Sequence, residues 1–197
     1  MIQNRTHSKS SNNQSEQKKQ LLSQWTAVHA SIYVVFGLIT LFMVNPSLDV
    51  LRYTISPFMV MLAVVHSYLY KTLSATEKDK SRFLFVTSSV ALCITTLIYL
   101  FFAREETSAG VILGIGWCIS GAAQTIFSNK LKNNNALAKD WRFEGIMMLA
   151  TGLSFWAVSG IGDRAMLGVF SCGAIITGVF LSTGVITWYR LGKPLEI

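Results

Sequence analysis

His29, His66 and Glu144 are the residues of this chain whose types could do chemistry, because each is an ionisable side chain at the edge of a long apolar run. Imidazole exchanges its proton between about pH 5 and 8, and a neighbouring carboxylate favours the protonated ring while burial opposes it. His29 lies four residues inside Trp25, His66 five residues before Lys71, and Glu144 two residues after Arg142. An internal repeat puts Gln124 and Ser182 at the depth of His66, and Thr87 at the depth of His29. These spacings predict a polar, pH-sensing cluster of His29, His66, Glu144 and Gln124 near one end of a helical bundle. The competing expectation is plainer. At 1.5 Å per residue all three ionisable groups lie within about 9 Å of a helix end, where they can reach water, and Glu144 can serve the start of its own helix, where negative charge is favoured.

No other stretch carries a reaction. HExxH, GxSxG, P-loop and Rossmann patterns do not occur. No Lys lies inside an apolar run, which excludes a retinal-type Schiff base, and no carboxylate pair does, which disfavours proton-driven transport. Cys93, Cys118 and Cys172 fall in three different runs without a CxxC pair, so they predict packing and neither a disulfide framework nor a metal site. The expectation is a non-enzymatic protein with no catalytic residue, no cofactor and no metal.

The elements that position the cluster follow from the charge pattern. Only 14% of the 197 residues are charged, against about 25% in soluble domains. Six runs hold no Asp, Glu, Lys or Arg: Trp25–Val44, Tyr53–Tyr70, Phe83–Ala103, Ser108–Asn129, Gly145–Gly162 and Ala165–Tyr189. Each approaches the roughly 20 helical residues that cross a bilayer, and none shows the polar stripe of a soluble helix. A barrel strand would alternate, whereas Ile32–Met43 is apolar nearly throughout. The predicted fold is an all-α membrane protein with six transmembrane helices, preceded by a basic, cytoplasmic tail over 1–24 whose Ser, Asn, Gln and Lys predict disorder.

Trp25, Phe83 and Trp141 stand 58 residues apart and each opens an apolar run. The transmembrane domain over 25–193 therefore divides into three pseudo-repeated two-helix hairpins, 25–82, 83–140 and 141–197. Gly116-Trp-Cys-Ile-Ser-Gly121 aligns with Gly173-Ala-Ile-Ile-Thr-Gly178, and Gly145 and Gly152 match Ala30 and Gly37 in spacing. Rows of small residues, Gly110-Gly114-Cys118-Ala122 and Ala174-Gly178-Ser182, allow close helix approach. Gly110, Gly114, Gly121 and Gly178 are the predicted helix-packing positions, with a homo-oligomer interface as the alternative use of the same rows.

Three hairpins with a leading aromatic, a mid-helix Gly, the outer-loop Asn45-Pro46 and a Gly-containing second helix ending in basic residues resemble the HdeD-like family of six-helix bacterial inner-membrane proteins. The resemblance spans 25–193. It implies a bacterial inner membrane and association with acid or general stress resistance, and it supplies no catalytic residues. A small-solute or ion pathway through the bundle or its oligomer is the competing function.

Lys and Arg set the orientation, since short cytoplasmic loops collect them. Fourteen of the 17 basic residues fall in the tail, in the loops near 71–82 and 130–142, and after Tyr189; only Arg52, Arg104 and Arg164 fall on the other side. Both termini are predicted to be cytoplasmic. The net charge of +7 follows from this topology, so the predicted partners are membrane lipids and not nucleic acid. Trp25, Tyr70, Trp141, Trp188 and Tyr189 fall at the cytoplasmic boundary that Trp and Tyr prefer. Each outer loop pairs its Arg with acid, which predicts a solvated surface.

Overall fold

The computed structural model describes residues 3–44, 46–74, 82–131 and 138–191. The loops expected to be basic at 75–81 and 132–137, the segment 192–197 and Asn45 lie outside them. Six helices follow one another: α1 (Gln3–Leu41), α2 (Leu48–Ser74), α3 (Arg82–Phe102), α4 (Glu106–Leu131), α5 (Ala138–Val158) and α6 (Asp163–Leu191), with no strand among the described residues. Four carry segments long and apolar enough to cross a membrane: Gln20–Leu41, Leu48–Leu69, Glu106–Lys130 and Asp163–Tyr189. The apolar part of α3, Val86–Phe102, is shorter. α5 is interrupted in its first two turns by Lys139, Asp140, Arg142 and Glu144. Outward-facing side chains are apolar as well: Val35, Leu97, Leu153 and Val179 are each 50% or more exposed.

The polar tail departs from expectation. α1 is continuous from Gln3 into the apolar run, and Leu22 and Ser23 are already buried. Gln, Lys and Glu have good helix propensity, and a helix nucleated by an apolar segment extends without a second nucleation cost. The bundle therefore begins before Trp25.

Each helix packs on the next, and α6 returns to α1, closing a ring. The closest seams are α4 with α5 and α6 with α1. Glycine explains both. A methyl group at Gly121 would stand 2.6 Å from the Gly145 carbonyl oxygen, and one at Gly152 would stand 2.9 Å from that of Gly114. A methyl at Gly110 would meet Ser159, and one at Gly178 would meet the Val34 amide at 2.8 Å. All four packing glycines thus turn toward helices of their own chain. Gly184 likewise leaves room for Asp140, in the first turn of α5 ahead of its apolar run; burial pushes that carboxyl up to about 6.

At the end away from the termini, acids occupy the first turns of α2 (Asp49), α4 (Glu106) and α6 (Asp163), where they complement the helix dipole. Ser47 Oγ accepts the Val50 amide at 3.3 Å. The arginines join the loops. Arg52 bridges Asp49 and the Ala103 carbonyl at the end of α3, and Arg164 donates to the Val44 carbonyl at 3.3 Å. Both acceptors lie just beyond a helix, Ala103 after α3 and Val44 after α1, so these contacts do more than the solvated charge expected of them.

Two apolar cores fill the ring. The larger centres on Phe58, Trp117, Phe155 and Phe170, with Phe58 and Phe170 edge to face at 4.9 Å. The smaller, nearer the termini, holds Leu22, Val65, Leu69, Phe127, Ala138 and Trp141.

Candidate functional site

Five helices converge on Glu144 and its partners. The i, i+4 spacing of a helix puts two residues on one face. It aligns His29 with Tyr33 on α1, and Ser120 with Gln124 on α4. α2 supplies His66, α3 Ser88 and α5 Glu144. His29, His66, Ser88, Ser120, Gln124 and Glu144 are 0% exposed and Tyr33 3%.

Glu144 is the centre. Its Oε1 accepts a hydrogen bond from Tyr33 OH at 2.9 Å and faces His29 Nε2 at 3.0 Å and His66 Nε2 at 3.4 Å. Its Oε2 accepts from Gln124 Nε2 at 2.6 Å. Ser88 Oγ sits 3.3 Å from His66 Nδ1 and also pairs with the Ser120 hydroxyl. The two imidazoles meet edge to face at 5.0 Å. A buried carboxylate without partners would be very costly. Here donors surround both oxygens, and one imidazolium would make the site neutral.

The structure thus brings His29, His66, Gln124 and Glu144 together. Ser182 stays apart, its hydroxyl turned back to the Gly178 carbonyl at 2.7 Å. Two plainer expectations are overturned. Glu144 is not at a helix start, because α5 begins at Ala138, nearly two turns earlier. Nor do the histidines reach water, since both are wholly buried and the Trp141 cluster belongs to the end from which water was expected to arrive. Tyr33, Ser88 and Ser120 were missed. Tyr33 and Ser120 had a signal in their four-residue spacing from His29 and Gln124; Ser88 had none.

Outward of Tyr33 lies a narrow cavity with room for about one water molecule, bounded by Phe58, Trp117, Met148, Thr151, Phe170 and Thr177. It continues the site but cannot admit an organic substrate. Cys93 and Cys172 are exposed, contrary to the packing expected of them, while Cys118 is half-buried with Sγ 3.9 Å from the Leu149 carbonyl. Among the described residues one group could hold a metal: the ligand atoms of His29, His66 and Glu144 all lie within 4.8 Å of one another.

Fold and site together define an all-helical bundle, four of whose helices are long and apolar enough to cross a membrane, built around a sealed ionisable cluster. The chain matches no protein-family model, no curated protein and no solved structure.

Proposed function

We propose that this chain is a six-span protein of a bacterial cytoplasmic membrane, made of three related hairpins with both termini inside, and that it acts without catalysis in resistance to acid or membrane stress. Its partners are then the surrounding lipids. The observation that carries the reading is the enclosure of the Glu144 cluster. One carboxylate gathers side chains from α1, α2 and α4, and His66 extends the network to Ser88 on α3. Such a node sets how the helices pack; it offers no substrate a way in. The repeat pattern and the HdeD-like motifs supply the link to stress. A transport route would need polar lining through the membrane depth. Outward of Tyr33, the core is instead dominated by Phe58, Trp117, Phe155 and Phe170, and its buried polar groups are mainly scattered hydroxyls such as Thr151, Ser171 and Thr177.

Survival of a deletion strain tests the role. Loss of the gene is expected to lower survival after acid shock or after treatment with a membrane-perturbing agent, and the parent gene is expected to restore it. A deletion strain that survives both challenges as well as its parent contradicts the reading.

A further inference from the structure

We infer that His29, His66 and Glu144 form a binding site for a divalent first-row transition cation of the zinc type. This goes beyond the stress role and does not depend on it.

The donor set is two imidazole nitrogens and one carboxylate oxygen. Nitrogen-rich sets of this kind suit zinc and its first-row neighbours, whereas magnesium and calcium take oxygen ligands. Separations fit as well. Zinc bonds of about 2.0–2.2 Å in a tetrahedral arrangement put neighbouring ligand atoms about 3.3 Å apart. Glu144 Oε1 stands 3.0 Å from His29 Nε2 and 3.4 Å from His66 Nε2. All three ligand atoms lie within 4.8 Å of one another, so small rotations of the rings close the triangle.

The second observation is His29 itself. Its ring is wholly buried, yet neither Nδ1 nor Nε2 makes a hydrogen bond. Nε2 lies close to Glu144 Oε1 without the alignment of a donor and acceptor. Buried polar atoms are nearly always satisfied, and a cation between Nε2 and Glu144 Oε1 would give Nε2 its partner.

The surrounding groups resemble the supporting shell of a metal site. Ligating histidines usually engage their second ring nitrogen, and ligating carboxylates are themselves hydrogen-bonded. For two of the three ligands that support is present: Ser88 approaches His66 Nδ1, with Ser120 behind it, and Tyr33 and Gln124 hold Glu144, whereas His29 Nδ1 has no hydrogen bond. Three protein ligands leave one coordination position for water.

The test uses the full chain, purified in detergent and stripped with a chelator. Titration with zinc chloride is expected to load roughly one ion per chain, with no competition from excess magnesium. Cobalt chloride should give the visible absorption of a tetrahedral nitrogen–oxygen site. Tyr33→Phe, which keeps the ring and removes only the hydroxyl bonded to the ligand Glu144, should weaken zinc binding about 10–100-fold. The double variant His29→Gln, Glu144→Gln should abolish it. Every variant is first required to melt cooperatively, and His7→Ala removes the one other histidine from consideration. Zinc retained at parental affinity by the folded double variant overturns the proposal, as does a folded parent that binds no zinc. Neither result bears on survival of the deletion strain.

Discussion

Replacing Glu144 with leucine is expected to cost the bundle about 3–5 kcal/mol, the loss typical when one partner of a buried charged pair is removed. Whole domains are stable by only about 5–15 kcal/mol, so this single change should bring the protein close to unfolding. The reason lies in what is left behind. Tyr33 OH and Gln124 Nε2 lose their acceptor, and His29 and His66 lose the carboxylate they share. Glu144→Gln keeps an acceptor oxygen and should cost less. The triple variant His29→Leu, His66→Leu, Glu144→Leu should recover much of the loss, because exchanging a whole buried polar group for apolar side chains is often neutral or better. Thermal melting in detergent reads all three. A Glu144→Leu protein that melts with the parent would mean that the cluster is not buried as described.

The second large effect is expected at the α4–α5 seam. In Gly121→Leu the new side chain begins 2.6 Å from the Gly145 carbonyl oxygen and 2.8 Å from the Leu149 amide. Both are backbone, so the two helices must separate. Gly114→Leu meets chiefly the side chain of Trp156, which is 44% exposed and can move only by giving up its hydrogen bond to the Val111 carbonyl, and the Gly152 carbonyl lies 2.9 Å away. Gly168→Leu meets nothing within 4 Å. Overpacking costs about 1–3 kcal/mol. Gly121→Leu should fall at the top of that range, Gly114→Leu lower, and Gly168→Leu near zero. Equal melting of Gly121→Leu and Gly168→Leu would remove the seam from the account.

Charge-free runs are a strong signal, and the six of them foretell the six helices. They mark helix ends poorly. In α5 the run was counted from Gly145, after the last charge, but Ala138, Trp141, Glu144, Met148, Thr151 and Phe155 form one buried face at helical spacing. Lys139 stays exposed and Arg142 half-exposed while the face between them enters the core. Glu144 is therefore deeper than its distance from the run's end suggested. Depth counting across the repeats still brought His29, His66, Gln124 and Glu144 to one level, and their contact follows from that level plus an inward face. Ser88 was illegible because hydroxyls in apolar helices usually bond their own backbone, as Ser67, Thr125 and Ser182 do here. The tail misled because polar composition speaks against a core, not against a helix that grows out of one.

The proposed topology places six crossings around the Glu144 cluster, and thiol labelling of intact cells tests those crossings most directly. In a background with Cys93, Cys118 and Cys172 replaced, single cysteines are placed at Ser10, Ser74 and Ser47. A membrane-impermeant thiol reagent is expected to label Ser47→Cys, in the loop between α1 and α2, and to leave Ser10→Cys and Ser74→Cys untouched until the cells are opened. Labelling at Ser10 or Ser74 in intact cells, with protection at Ser47, would contradict the account.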